Sequence, residues 1–257
     1  MTRSELDARI ASGEFTVTKL PTRKPRKSEL VFSMTKGPRT NTNRRGQAYG
    51  GHATGSRDLV MEGKAKHVFC GVRPPGHHAE HHRGMGFCLF NNIAVGAYHA
   101  LNQHGLKRVA IVDFDVHHGN GTEHIVQGDE RILFCSSFQH PFYPHSGEDC
   151  KAANVANLPL PAGCGGDDYR AAVTEQWLPR LAEFAPELIF ISAGFDGHQA
   201  DPLADFNLVD EDFAWITRRL CEQAAQSAEG RIVSSLEGGY DLHAHSLEEL
   251  DVGLDLG

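Results

Sequence analysis

Acidic and imidazole side chains alternate over a short stretch of this 257-residue chain. Asp113, Asp115 and His117 are separated by the apolar residues Phe114 and Val116. In an extended strand, side chains two positions apart point to the same face, so the three polar groups would share one side. Two carboxylates this close repel each other unless a cation or strong donors compensate them. Carboxylate and imidazole ligands suit zinc or a similar divalent ion, and the alternative is a hydrogen-bonded Asp–His pair at a strand end.

Two adjacent histidines, His77 and His78, directly follow the turn-forming residues Pro74, Pro75 and Gly76. A rigid loop of this kind can present side chains to a site, and adjacent imidazoles are poor core residues. Two neighbouring imidazoles can hold different protonation states near neutral pH, which suits them for proton transfer. The sequence therefore predicts acid–base chemistry at this loop.

Two further apolar segments end in polar side chains. Asp196 follows the segment 187–192, and Tyr240 follows the segment 231–236 behind a pair of glycines. Glycines allow the backbone to approach a ligand closely. Four strand-like segments thus each deliver ionisable or hydrogen-bonding groups at their carboxyl ends, and coincidence explains this poorly.

The elements that must position these groups alternate between apolar runs and amphipathic segments. This alternation predicts an α/β fold, a parallel sheet covered by helices on both faces. In open sheets of this class, ligands bind beyond the carboxyl ends of the strands. The predicted strands are 67–72, 108–114, 131–136, 187–192 and 231–236, and the predicted helices are about 91–104, 167–185 and 210–230.

Charge is distributed unevenly along the chain. There are 33 acidic and 25 basic residues in total, for a formal charge of −8. Residues 1–45 nevertheless carry 11 basic and four acidic side chains. We predict a basic, flexible leader at 1–45 and a globular domain at 46–257. No aromatic residues interleave the basic ones as stacking platforms would, so a nucleic-acid partner is disfavoured.

Composition excludes several other classes of protein. No apolar run approaches the roughly 20 residues that a membrane-spanning helix needs, so we expect no membrane partner. Six cysteines stand singly, without a CxxC pair, and are expected to be reduced. No segment of the first 30 residues has the apolar character of an export signal, so a cytoplasmic location is expected.

Five sequence motifs carry a resemblance to a known family. The runs RPPGHHAE, GMGFCLFNN, VDFDVHHGNGTE, ISAGFD followed by DPLADFNL, and LEGGYDL occur in that order within residues 50–242. They resemble the histone deacetylase family, in particular its class II members and the bacterial histone deacetylase-like amidohydrolases. Both ends of the chain differ from the family pattern and are expected to be shortened or replaced.

The resemblance implies an arginase-like, three-layer αβα fold and a Zn²⁺-dependent hydrolase that removes acyl groups from amines, with Fe²⁺ as the alternative metal. The domain 46–257 would then be the catalytic domain. The site residues follow from the matching motif positions. The implied metal ligands are Asp115, His117 and Asp196, and the implied catalytic residues are His77, His78 and Tyr240.

His78 would serve as general base, His77 as its electrostatic partner, and Tyr240 as hydrogen-bond donor to the oxyanion. Asp113 would orient His77. Asn120 stands where some relatives have a second Asp beside His78, and an amide should leave that imidazole less basic than a carboxylate would.

A narrow substrate tunnel and a structural K⁺ site are implied in the same way. The expected tunnel residues are Gly86, Phe87, Tyr143, Gly238 and Gly239. The expected K⁺ ligands are Asp113, Asp115, Ser136 and the His117 carbonyl.

Three readings of function remain open at this stage. The first is a deacetylase acting on acetyl-lysine in proteins, on an acetylated polyamine or on another small amide. The second is a binuclear manganese ureohydrolase of the same fold, which would need further His and Asp ligands. The third is a catalytically impaired, deacetylase-like binding protein. Oligomeric state is left open.

Overall fold

The computed structural model describes residues 58–241, and the predicted leader at 1–45 lies outside them. The described strands are β1 (His67–Cys70), β2 (Val109–Asp113), β3 (Ile132–Gln139), β4 (Val155–Leu160), β5 (Leu188–Ala193) and β6 (Ile232–Leu236). The helices of seven or more residues are α1 (Asn92–Gln103), α2 (Asn120–Val126), α3 (Gly166–Phe184) and α4 (Asp210–Ser227).

The six strands form a single sheet in the order β1-β6-β5-β2-β3-β4, and every neighbouring pair is parallel. β2 is central, with Asp113 in register with Ser136 of β3 and Ser192 of β5. The carboxyl ends of the strands therefore meet at one edge, where the loops that follow them converge.

Helices cover both faces of the sheet, and each face has its own apolar core. Alternate residues of β2 divide between the cores: Ala110 and Val112 face α3 and α4, whereas Val109 and Ile111 face α1. Trp177 of α3 is fully buried in the first core. This three-layer α/β arrangement agrees with the predicted fold class.

Two elements were missed by the sequence analysis. β4 contains Asn157 and Pro159, residue types that usually argue against a strand. β4 stands at the end of the described sheet, where a proline costs no ladder hydrogen bond on its open side. The short helix α2 contains Gly121 and begins within the motif VDFDVHHGNGTE, whose glycine and asparagine residues are typical of a loop.

The strand predicted at 108–114 is shorter in the structure. β2 ends at Asp113, so Asp115 and His117 lie beyond the strand. The alternation nevertheless persists in the loop: Phe114 and Val116 belong to the apolar core, whereas Asp115 and His117 line a cavity. Among the described helices, none is long and apolar enough to cross a membrane.

Candidate active site

Asp115, His117 and Asp196 meet at the carboxyl edge of the sheet. One ligand atom from each residue lies within 4.8 Å of the other two. The His117 Nδ1 atom lies 3.1 Å from Asp115 Oδ1 and 2.9 Å from Asp196 Oδ2. The loop after β2 and the loop after β5 thus bring together side chains about 80 residues apart.

Backbone N–H groups bind the oxygen of each carboxylate that does not contact His117 Nδ1. The Val116 N–H donates to Asp196 Oδ1 at 3.1 Å, and the Gly238 N–H donates to Asp115 Oδ2 at 2.8 Å. A side chain at position 238 would overlap both carboxylates, which explains why glycine is needed there. Each carboxylate is only 1% exposed.

The donor set of these three residues fits a divalent metal ion. Two buried carboxylates carry more negative charge than one imidazole can neutralise, and burying unpaired charge is costly. Two oxygen donors and one nitrogen donor around one point match the open, three-ligand zinc or iron sites of hydrolytic enzymes. Their assignment as metal ligands remains a prediction.

The pKa values of these side chains reflect the same crowding. Burial lowers the pKa of His117, but its hydrogen bonds to Asp115 and Asp196 outweigh burial and raise that pKa to about 10. Burial, followed by the charge of Asp115, raises the pKa of Asp196 to about 6. Both shifts have the direction expected where two buried carboxylates share one cationic partner.

His77 and His78 lie side by side with their ring centroids 4.0 Å apart. His77 Nδ1 donates to Asp113 Oδ2 at 3.0 Å, and His78 Nδ1 donates to Asn120 Oδ1 at 2.8 Å. Both histidines are buried. One imidazole is therefore paired with a carboxylate and the other with an amide, at the positions the sequence analysis named.

Burial and neighbouring charges shift the pKa values of the two histidines in opposite directions. Burial lowers the pKa of His77, but the charges of Asp115 and Asp113 outweigh it and raise this pKa well above its usual value. Burial, followed by the positive charge of His77, lowers the pKa of His78 to about 3. These opposite shifts favour a proton on His77 and leave His78 as the imidazole that can accept one.

A buried carboxylate that the sequence analysis missed holds the histidine loop in place. Glu237 Oε2 accepts the backbone N–H groups of Gly76 at 2.6 Å and His77 at 3.1 Å, and Glu237 Oε1 accepts the Ser192 hydroxyl at 3.1 Å. Burial raises the pKa of Glu237 to about 7. The loops after β1 and β6 and the end of β5 are tied together through this one side chain.

Asp201 plays a similar part for the loop that carries Tyr240, and it too was missed. One Asp201 carboxylate oxygen accepts the backbone N–H groups of Tyr240 at 2.6 Å and Asp241 at 3.2 Å. Its other oxygen accepts the Leu203 N–H at 3.0 Å. Both Glu237 and Asp201 occur within quoted motifs, but only the fold reveals what they bind.

An open cavity with an empty volume of about 360 Å³ leads to these groups. Twelve residues line it, among them the three candidate ligands, both histidines and Tyr240. Of the expected tunnel residues, Gly86, Phe87, Tyr143 and Gly238 line the cavity. Gly239 is not a lining residue, and it adopts a φ of +125° that suits glycine. Pro75 and Leu203 also line the cavity and were not expected.

Three aromatic side chains, Phe87, Tyr143 and Tyr240, line the cavity. The Tyr143 ring meets the His78 ring edge to face, with centroids 5.2 Å apart. Phe87 lies 6.3 Å from the Tyr240 ring and is 73% exposed, as is usual for a residue at a rim. A side chain at position 86 would overlap the His78 ring, so Gly86 lets the loop pass close to the imidazole.

Two other predicted features lie close to the site. Asp113 and Ser136, named as K⁺ ligands, are register partners in β2 and β3, and K⁺ binding itself stays a prediction. Within residues 58–241, a second group that could hold a metal ion consists of Asp58, His99 and His104. This group is near the C-terminal end of α1, and none of its members lines the cavity.

Comparisons with known proteins place this geometry in a family. Residues 18–250 match the histone deacetylase domain. Rice histone deacetylase 10, a chloroplastic protein of Oryza sativa subsp. japonica, is 46% identical over 189 residues, which are 71% of this chain and 43% of the rice protein. Mouse (Mus musculus) polyamine deacetylase HDAC10 is 40% identical over 199 residues, which are 73% of this chain and 29% of the mouse protein.

A solved structure agrees with these sequence matches. The crystal structure of the HDA15 HD domain superposes with a TM-score of 0.76 at 35% identity, covering 83% of this chain and 63% of that chain. The chain spans about half the length of the curated relatives it matches. The matched range begins inside the predicted leader, and the domain boundary at residue 45 stays a prediction. With a family domain over most of its length and a related fold, the chain belongs to the histone deacetylase family.

Proposed function

We propose that this protein is a metal-dependent deacetylase that hydrolyses the amide of an acylated lysine side chain or of an acylated small amine. The observation that carries the proposal is the convergence of three separate groups on one cavity: the Asp115, His117 and Asp196 cluster, the histidine pair, and Tyr240. A mouse relative is named a polyamine deacetylase and a rice relative a histone deacetylase, so both substrate classes are candidates.

The candidate ligands would hold the ion that supplies the electrophilic chemistry of the site. A divalent ion held by Asp115, His117 and Asp196 would polarise the amide carbonyl and lower the pKa of water towards about 7. Zinc and Fe²⁺ both suit this ligand set.

His78 acts as the base in the first step. Its Nδ1 atom is committed to Asn120, so Nε2 is the atom left to take a proton from the attacking water. The water oxygen forms a bond to the carbonyl carbon, and the carbonyl π electrons move to oxygen. Cationic His77 lies beside His78 and stabilises the negative charge that develops on the substrate.

Tyr240 and His78 complete the reaction. Burial, followed by the charges of Asp115 and Asp196, raises the pKa of Tyr240, so its phenol stays protonated and can donate a hydrogen bond to the oxyanion. When the tetrahedral intermediate collapses, the carbon–nitrogen bond breaks and His78 returns its proton to the departing amine. The products are a carboxylate and a protonated amine, which carries both protons of the attacking water.

The binuclear ureohydrolase reading is less well supported. In residues 58–241, one His/Asp group lines the cavity, and the second group lies at the end of α1. The His77 and His78 pair, with Asp113 and Asn120 as partners, has hydrogen bonds that suit proton transfer better than ligation of a second ion.

The direct test is hydrolysis of an acetyl-lysine peptide and an N-acetylated polyamine by the zinc-loaded protein. Asp196→Ala should abolish activity and lower bound metal, and the exposed substitution Asp149→Ala is the matched control that should change neither. Hydrolysis that survives Asp196→Ala would contradict the proposed mechanism. A folded, metal-binding protein that hydrolyses neither substrate class would support the binding-protein reading.

A further inference from the structure

A chain of hydrogen bonds extends from the histidine pair to an acidic residue that has no role so far. Asn120 Oδ1 accepts from His78 Nδ1 at 2.8 Å, and the other end of the same amide, Nδ2, donates to Glu80 Oε1 at 2.9 Å. His78 and Glu80 are two residues apart in the loop after β1. Both contact the side-chain amide of Asn120, the first residue of α2, at its opposite ends.

The surroundings allow only one orientation of that amide. An ionised carboxylate accepts hydrogen bonds and cannot donate them, so Glu80 must face the NH₂ end of Asn120. The Met85 sulfur, 3.4 Å from Asn120 Nδ2, is also an acceptor. A flipped amide would turn its oxygen towards the carboxylate and the sulfur, losing both contacts and adding repulsion.

The orientation of the amide in turn decides which nitrogen of His78 carries the proton. A neutral imidazole has one N–H and one lone pair, and the partner of one nitrogen fixes the tautomer. An amide oxygen beside Nδ1 requires the proton there and leaves Nε2 as the acceptor. An amide NH₂ in the same place would favour the opposite tautomer, which cannot take a proton at Nε2.

Glu80 is itself held in position. Arg83 NH2 donates to the same Glu80 Oε1 atom at 3.1 Å, and the Glu80 N–H donates to the Arg83 carbonyl at 2.9 Å. Asn120 is only 9% exposed, so water has little access to replace the carboxylate as its acceptor.

We propose that Glu80 is a positioning residue for the general base: by accepting from Asn120, its carboxylate fixes the amide orientation and thereby the Nδ1–H tautomer of His78. This inference rests on the proposed deacetylase function for its kinetic consequences. It does not require Glu80 to touch the substrate.

Two substitutions separate this role from one of charge or simple packing. Glu80→Gln removes the charge but keeps an oxygen that can accept from both Asn120 and Arg83. Glu80→Met keeps the length but replaces the carboxylate by a thioether sulfur, which is only a weak acceptor. We expect Glu80→Met to lower kcat about 10-fold or more with little change in KM, and Glu80→Gln to stay within about twofold of the wild type. Equal losses in both variants would overturn the proposal, because charge and not acceptance would then matter.

The coupling with Asn120 gives a second test. In Asn120→Asp the new carboxylate faces Glu80 across about 3 Å, and the two repel each other. Adding Glu80→Gln should relieve this repulsion, because the glutamine amide can turn its NH₂ towards the aspartate. We expect the double variant to be more active than Asn120→Asp alone, and a double variant no better than the single one would count against the relay.

A spectroscopic readout keeps the inference testable if no substrate is turned over. ¹⁵N-histidine NMR distinguishes protonated from unprotonated ring nitrogens, and His78→Gln assigns the signal. The wild type and Glu80→Gln should show His78 protonated at Nδ1, whereas Glu80→Met should show a mixture of tautomers. An unchanged Nδ1–H tautomer in folded Glu80→Met would refute the positioning role. Absence of hydrolysis in the wild type would instead refute the proposed function alone.

Discussion

Replacing Asn120 by aspartate should make His78 a stronger base. The imidazole pKa is about 3 because burial and the neighbouring cationic His77 both disfavour its charged form. The present partner, the Asn120 oxygen at 2.8 Å from His78 Nδ1, carries no net charge. A carboxylate in the same place would stabilise the imidazolium directly.

The size of the effect follows from the separation of the charges. Two unit charges about 4 Å apart attract each other by about 4 kcal/mol at an effective dielectric constant of 20. Since one pKa unit corresponds to about 1.36 kcal/mol, this is a rise of up to about three units. Repulsion from Glu80, 2.9 Å from the Asn120 amide nitrogen, opposes the effect. We expect a net rise of about one to three units.

The assay is kcat/KM of the zinc-loaded protein as a function of pH on one acetylated substrate. A higher His78 pKa keeps the base protonated, and therefore inactive, up to a higher pH. The acidic limb governed by His78 should thus move upwards in Asn120→Asp. Asn102→Asp, which adds the same charge on the exposed surface of α1, should leave the limb in place. Superimposable profiles for Asn120→Asp and the wild type would refute the reasoning.

Three further outcomes are expected. Tyr240→Phe should lower kcat about 10²-fold to 10³-fold with unchanged metal content, and a loss below tenfold would remove its role at the oxyanion. Gly86→Ala should lower kcat, because the φ of +53° at this position is strained for alanine and the new methyl group overlaps the His78 ring. In the control variant Gly71→Ala the new methyl group meets no atom within 4 Å, so kcat should not change. Phe87→Ala should raise KM about fivefold with kcat nearly constant, because it removes an apolar contact that contributes about 1 kcal/mol to binding of the substrate's aliphatic stem. An unchanged KM would exclude Phe87 from substrate contact.

The sequence was sufficient for the fold class because its periodicity is strong. Five of the six described strands overlap predicted ones, and α1, α3 and α4 lie within three residues of the predicted limits. The apolar runs of central strands such as β2 and β5 are buried on both faces, which is the pattern that a parallel sheet imposes. β4 was missed because an edge strand tolerates the proline and asparagine that sequence rules reject.

In the site too, some residues could be predicted from the sequence and others could not. Side chains such as Asp115 and His78 could be named from motifs, and the structure brings them to one cavity, although their roles remain predictions. The groups that hold them could not be named, because their partners are remote in sequence. Glu237 binds the loop of Gly76 and His77 across about 160 residues, and no local pattern encodes such a contact. Asp201 and Glu80 were overlooked for the same reason.

The central claim is that one divalent ion, held by Asp115, His117 and Asp196, supports amide hydrolysis in this cavity. The most direct measurement is activity on an acetylated substrate while Zn²⁺ is added stepwise to metal-free protein. The proposed mechanism predicts that activity rises linearly and reaches its plateau at one equivalent per chain, with no activity recovered by Asp196→Ala. Hydrolysis in metal-free protein, or a plateau reached only at two equivalents, would contradict it.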